Sequence, residues 1–302
     1  MKLELKNEFI EKYSKLTNFK EYEEIINKFL RKSIRINTLK TTITKTKSAL
    51  LKNYKLIQIP WCKEGFWLET ERRDLGNILE HQLGYVYIQD AASMLPPLIL
   101  NPKQNEIILD AAASPGSKTT QIAAIMKNKG LIIANDATYQ RMMALSHNLQ
   151  RCGVLNTVTT IMDARNINYQ FDKILLDAPC SGTGTIRGLT QNSFYTVKSY
   201  SKEKIRNLAG LQKKLILKCY SNLKPKGILV YSTCSLDPEE DEEIVQFLLN
   251  NTDAKLEKIN LKIKSGLNLD YGNYSQELNK CIKLWPQFYD TEGFFIAKIK
   301  KS

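Results

Sequence analysis

The spacing of apolar residues changes rhythm near residue 105. Before it, Phe9, Ile10, Tyr13 and Leu16, then Ile25, Ile26, Phe29 and Leu30, recur at helical intervals and predict charged helices over 7–32. Residues 33–38 alternate and predict a strand; a lysine-rich helix over about 43–52 and a strand over 55–59 follow. A strand over 83–89 and a short helix over 91–100, closed by Pro96-Pro97, lead into the regular part. There, apolar strands over 106–110, 130–134, 157–161, 173–177 and 227–231 alternate with helical patterns over 117–127, 139–151, 201–223 and 239–250. Such alternation means βαβ units and a parallel, doubly wound sheet, an α/β fold. Residues 181–201 form a long connection without periodicity, the kind that often serves as a binding loop. Residues 283–300 read as strands around a Thr291-Glu292-Gly293 turn. The expected division is a small α+β unit over 1–80 and a Rossmann-like unit over 81–302.

Two strand patterns end in a cysteine motif, Asp177-Ala178-Pro179-Cys180 and Ser232-Thr233-Cys234-Ser235. In an open α/β sheet that carboxyl edge is where active sites form. A thiol there is a candidate nucleophile, and two in one crevice suggest separate attack and release steps. The other four cysteines, 62, 152, 219 and 281, read as core packing.

Charge then narrows the partner. Among 302 residues, 44 Lys+Arg against 31 Asp+Glu leave a net charge of +13. That balance fits a polyanion such as nucleic acid, or equally lysine enrichment from biased base composition or a hot habitat. With only His81 and His147 and no C-x-x-C pair, no metal site is expected. No apolar run approaches the roughly 18–20 residues of a membrane span, and the start does not read as a signal peptide. Reduced thiols in the cytoplasm are the expectation.

The first regular strand ends at Leu109-Asp110 and runs into Ala111-Ala112-Ala113-Ser114-Pro115-Gly116-Ser117-Lys118, which opens a helix. Small residues let backbone approach a ligand, and the helix start offers unpaired N–H groups. The spacing is neither G-x-G-x-x-G nor a P-loop, since Ser117 stands before Lys118 where glycine belongs. Asp136, past the second strand, lies where an acid binds ribose hydroxyls. Asp163, past the third, is placed to accept from an exocyclic amine. Either alone reads as a helix cap; three acids at successive strand ends describe an adenosine pocket.

Together these motifs resemble the RNA (cytosine-5)-methyltransferases of the Nop2/Sun (NSUN or RsmB) family, whose cofactor is S-adenosylmethionine. The similarity runs from Ser33 to Lys300. It rests on Arg35-Ile36-Asn37-Thr38-Leu39-Lys40, Tyr87-Ile88-Gln89-Asp90-Ala91-Ala92-Ser93, the loop from Ala112 to Lys118, the two cysteine motifs, and Trp285-Pro286 to Gly293-Phe294-Phe295-Ile296-Ala297. The usual C-A-A-P-G-G-K loop is altered at Ala112, Ser114 and Ser117, all still small. The usual P-E-E-N-E becomes Pro238-Glu239-Glu240-Asp241-Glu242, and Gln287 stands where His is common.

The resemblance implies a Rossmann-like methyltransferase fold and a division of roles. Cys234 attacks carbon 6 of cytosine, making carbon 5 nucleophilic, and Cys180 assists release of the methylated RNA. Asp177 faces ring nitrogen 3 and the exocyclic amine, as acid or hydrogen-bond acceptor. Ala112, Ala113, Ser114, Pro115, Gly116, Ser117, Lys118, Asp136, Arg141, Asp163 and Asp177 would surround the cofactor. Arg35, Asn37, Lys40 and Arg187 would meet RNA, with a solvated surface charge as the plainer account of Lys40. DNA cytosine-5 enzymes use the cysteine of a Pro-Cys dipeptide, which would be Cys180, but they lack a Thr-Cys-Ser motif. Amino-methyltransferases carry a D/N-P-P-Y/F motif that is absent here. The compact build resembles small archaeal members acting on tRNA; rRNA as substrate, or a non-catalytic RNA-binding factor of the same fold, stays open.

Overall fold

The computed structural model describes residues 3–71, 74–188 and 190–302. Its first sheet is antiparallel in the order β2-β3-β1-β4. It comprises β1 (Lys32–Ile36), β2 (Lys55–Gln58), β3 (Gly65–Glu69) and β4 (Val86–Ile88), with α3 (Ile43–Leu50) and α4 (Leu79–Gln82) in the connections. Periodicity did not predict β3. Phe66, Trp67 and Leu68 are buried in succession, so no apolar–polar alternation marks that strand. Because β4 pairs with β1, this sheet continues past the boundary expected at residue 80.

The opening helices, α1 (Asn7–Leu16) and α2 (Phe19–Ile26), pack elsewhere. Their Phe9, Tyr13 and Tyr22 rings join Tyr200, Leu236 and Trp285 in one apolar cluster. Tyr13 and Tyr22 meet Trp285 edge-on, with centroids 5.9 and 5.6 Å away. The start of the chain thus braces the loops that carry the second cysteine motif.

The second sheet contains β5 (Ile107–Asp110), β6 (Leu131–Asp136), β7 (Thr157–Ile161), β8 (Phe171–Asp177), β9 (Leu223–Thr233), β10 (Lys255–Leu256), β11 (Ile282–Leu284) and β12 (Phe294–Lys300). Its order is β10-β12-β9-β8-β5-β6-β7, with β11 on β12. Strands β5 to β9 are parallel, and β12 runs antiparallel to β9. Helices α5 (Leu95–Leu100), α6 (Ser117–Met126), α7 (Tyr139–Cys152), α8 (Gln191–Ser199), α9 (Lys202–Ser221), α10 (Glu242–Asn251) and α11 (Pro286–Tyr289) complete the unit. Strand order reverses between β5 and β8, and loops leaving the carboxyl edge there diverge to open a crevice. This is a Rossmann-like architecture with an amino-terminal α+β part.

Two local expectations change. The stretch 181–201 contains α8, capped by Thr190, whose Oγ1 accepts from the Ser193 N–H at 3.1 Å. Helix α10 starts at Glu242 instead of 239, because Asp237, Glu240 and Asp241 turn inward and are fully buried. Among the described residues no helix is long and apolar enough to cross a membrane.

Candidate active site

The loop after β5 is pinned before any ligand arrives. Ala113 N–H donates to the Asn135 carbonyl at 2.7 Å, Ser114 N–H to Asp136 Oδ2 at 3.1 Å and Arg141 to the Ser114 carbonyl at 3.1 Å. Gly116 has φ +101°, and a Cβ there would come within 2.9 Å of the Leu145 side chain. Glycine is what lets the loop turn into α6 so close to α7.

Among the described residues, two buried carboxylate oxygens at this edge have no hydrogen-bond partner, Asp110 Oδ1 and Asp136 Oδ1. Arg141 approaches the latter only to 3.6 Å. Orphaned buried acceptors are costly, and hydroxyl or ammonium donors of a ligand satisfy them. Burial pushes the Asp110 carboxyl up to about 7, against the hydrogen bond from Thr119. These acids, the small-residue cradle and the amino end of α6 fit the ribose and amino-acid parts of S-adenosylmethionine. Asp163 differs: Arg165 engages both its oxygens and holds its carboxyl below the usual range.

Next along the edge, β8 and β9 run parallel with Asp177 beside Ser232, which brings the cysteine motifs together. Cys180 Sγ and Cys234 Sγ are 3.2 Å apart. Asp177 accepts from Lys118 Nζ at 2.6 Å and from Ser232 Oγ at 2.7 Å. Burial works against the Lys118 charge, but Asp177 outweighs it and raises the lysine. Contact with Cys234, then burial, pushes the Cys180 thiol well above its ordinary value.

Beneath the thiols lies a network that the sequence reading did not assign. Glu240 accepts from the Ser181 N–H at 2.9 Å and from Gln212 at 3.0 Å, and Gln212 also donates to the Pro179 carbonyl. Thr233 Oγ1 donates to Asp241 at 2.6 Å, and Thr183 Oγ1 to Asp237 at 2.8 Å. Lys283 Nζ sits 2.7 Å from Glu242 and 3.1 Å from Asp241. The signal was visible in the acidic run 237–242 directly after a cysteine motif.

Of the four residues expected to meet RNA, Arg35, Asn37 and Arg187 are buried and only Lys40 is exposed. Arg35 is 2% exposed; it donates to Gln89 and Thr120 at 2.9 Å each and to the Ser117 carbonyl. It ties β1 to the start of α6. Asn37 is likewise buried, joining the Gly84 and Cys152 carbonyls. Arg187, 2% exposed, binds the Thr291 carbonyl and Asp290. Lys40 is exposed, yet its ammonium caps the Leu83 and Arg151 carbonyls. All four hold loops together. Cys62, Cys152, Cys219 and Cys281 are buried and free.

A methyl-donor cradle beside a two-thiol crevice on a Rossmann-like sheet defines a methyltransferase. Residues 97–300 match the family model of the 16S rRNA methyltransferase RsmB/F, and residues 5–91 match the N-terminal domain of 16S rRNA methyltransferase RsmF. The chain belongs to the RsmB/F methyltransferase family, and its methyl donor is S-adenosylmethionine. It is 46% identical to the tRNA (cytosine(49)-C(5))-methyltransferase of Pyrococcus abyssi, over 98% of this chain and 96% of that protein. It is 44% identical to ribosomal RNA small subunit methyltransferase F of Psychromonas ingrahamii, but over 57% of that longer protein. A methyltransferase homolog protein from Pyrococcus horikoshii superposes with a TM-score of 0.83 at 37% identity, covering 99% of this chain and 100% of that one. NSun6 from Pyrococcus horikoshii, solved with SFG, superposes with a TM-score of 0.85 at 26% identity, covering 98% of each chain.

Proposed function

We propose that the protein methylates carbon 5 of cytosine in tRNA, with Cys234 as nucleophile. The observation that carries this reading is the pair of thiols 3.2 Å apart beside the Lys118–Asp177 pair. A scaffold protein has no physical need for that arrangement. The likeness over nearly the full length of the Pyrococcus abyssi tRNA enzyme supports tRNA over rRNA.

S-Adenosylmethionine supplies an electrophilic methyl group. Asp136 would hold its ribose hydroxyls, with the backbone of 112–118 and Asp110 around the remainder. Carbon 5 of cytosine is too electron-poor to take a methyl group unaided. As Cys234 Sγ bonds to carbon 6, the ring becomes an enamine and carbon 5 a nucleophile. A thiol attacks as its thiolate, and the Lys118 ammonium supplies positive charge near Cys234. Asp177, fixed by Lys118 and Ser232, presents its carboxylate to nitrogen 3 and the amine of the base. After carbon 5 loses its proton, the Cys234–carbon 6 bond breaks and Cys180 assists release. The target base leaves any helical stack to reach this depth. We place the protein in the cytoplasm, where its six free cysteines stay reduced.

Incubating the protein with tRNA and rRNA, then sequencing after bisulfite treatment, tests the reading. Protected cytosines in tRNA are expected. Protection confined to rRNA, or RNA binding without any protection, overturns it.

A further inference from the structure

In the reaction proposed above the two thiols have separate tasks, and different side chains fix the backbone that carries each. Around Cys234, Thr233 Oγ1 donates to Asp241 at 2.6 Å and accepts the Ser235 N–H at 3.2 Å. The Cys234 carbonyl accepts the Gly184 N–H at 2.9 Å. Around Cys180 the support is one pair from elsewhere in the chain, Gln212 of α9 and Glu240 of the turn before α10. Both are fully buried.

The pair grips the two peptide groups that flank the Cys180 Cα. Gln212 Nε2 donates at 2.8 Å to the Pro179 carbonyl, in the peptide before Cys180. Glu240 accepts the Ser181 N–H, in the peptide after it, at 2.9 and 3.2 Å. Gln212 Nε2 also donates to Glu240 Oε1 at 3.0 Å, which closes the brace. A peptide group is planar, so holding the planes on both sides of one Cα fixes φ and ψ there. The direction of the Cys180 Cα–Cβ bond follows, and χ1 is the rotation left to the thiol.

The brace admits one arrangement. Both groups facing the Gln212 amide are acceptors, so its NH2 must point at them, and among the described residues its Oε1 has no partner. Glu240 receives the Ser181 N–H, the Ser181 hydroxyl and Gln212, a set that suits an ionised carboxylate. Burial raises this carboxyl, and the Ser181 and Ser235 hydroxyls pull it back. Contact with Cys234 and burial do most to keep the Cys180 thiol un-ionised, and the Glu240 charge adds to them. Ser181 Oγ and Ser235 Oγ, 3.2 Å apart, are where the supports of the two thiols touch.

We propose that Gln212 and Glu240 are positioning residues for Cys180, aiming its thiol at the Cys234-bound base and so governing release of the methylated RNA. The inference rests on the cytosine-5 reading and deepens it by naming what sets the second thiol's place. Capture of the base and methyl transfer depend on Cys234, whose own supports are Thr233, Asp241 and Gly184. Loss of the brace therefore bears on the later step more than on the earlier one.

The test follows methyl transfer to tRNA from a labelled donor in a single turnover. It counts protein–RNA adducts that survive a denaturing gel, per methyl group transferred. Gln212→Leu and Glu240→Gln should each raise that ratio by about tenfold or more, toward the value of Cys180→Ala. Gln212→Leu leaves Glu240 its two Ser181 donors and buries no lone charge, so at least one brace variant keeps its fold. Arg35→Met loosens the seam between β1 and α6 instead; it should leave the ratio unmoved, which separates positioning from general loss of stability. In a Cys180→Ala background neither brace variant should add to the ratio, because both act through that thiol. Methyl transfer and release falling in step, an unchanged ratio, or a further rise in the Cys180→Ala background overturns the proposal. If the unaltered protein transfers no methyl group, or Cys180→Ala itself collects no adduct, the parent reading fails first and this one with it.

Discussion

Two layers of ionisable side chains meet at the carboxyl edge of the second sheet. In the lower layer Lys283 lies between Asp241 and Glu242, and Lys12 reaches Asp237 and Glu239, with all four nitrogen–oxygen distances at or below 3.1 Å. In the upper layer Asp110 and Asp136 each keep an unpartnered oxygen, and the two thiols have each other. Burying paired charges costs desolvation that close ion pairs recover only with good geometry. The lower layer accepts that cost and fixes the loops of Cys180 and Cys234. The upper layer keeps hydrogen-bonding capacity for a donor molecule and a base. Distance from the sheet edge thus separates groups that hold shape from groups that act.

Substitutions can break this contrast. Cys234→Ala should lower methyl transfer by on the order of a thousandfold or more, measured with a labelled methyl donor, without unfolding the chain. Cys180→Ala should instead leave a protein–RNA adduct that survives a denaturing gel. Adducts seen only with Cys234→Ala would reverse the two roles. Lys283→Met should act on the fold, leaving two buried acids unpaired at a cost of about 3–5 kcal/mol in chemical denaturation. Arg35→Met removes three hydrogen bonds at the seam between β1 and α6 and should destabilise by about 1–3 kcal/mol. The salt dependence of RNA binding should be unchanged, because Arg35 is buried and spends its donors on Gln89, Thr120 and the Ser117 carbonyl. Smallest of all, Lys40→Ala should shift stability by about 0.5 kcal/mol or less and leave RNA affinity unmoved in a filter-binding titration.

The sequence disclosed the second sheet better than the first. From β5 onward, apolar runs of strand length alternate with helical faces, and that rhythm is strongest in the central strands β5, β8 and β9, where buried positions follow one another. Both cysteines were readable because each ends such a run. Strand β3 was not, since burial on both sides erased its alternation. Side-chain environment was the hardest part. Arg35, Asn37 and Arg187 carry the chemistry of RNA contacts, yet each is swallowed where loop carbonyls or side-chain oxygens needed a donor. Asp237, Asp241 and Glu242 flank the start of an expected helix yet fold inward, because the lysines that pair with them, Lys12 and Lys283, lie far away in sequence. Residue type reports charge; it does not report which side of the surface the charge ends on.

Under the proposed roles, the sulfur contact between positions 180 and 234 would also bear on the order of events. While both thiols are idle, each occupies the other's approach. In the proposed reaction, a ring carbon bonded to the Cys234 sulfur would take that neighbour from Cys180. The second thiol would then be armed by the first one's engagement, which ties the exit step to the capture that precedes it.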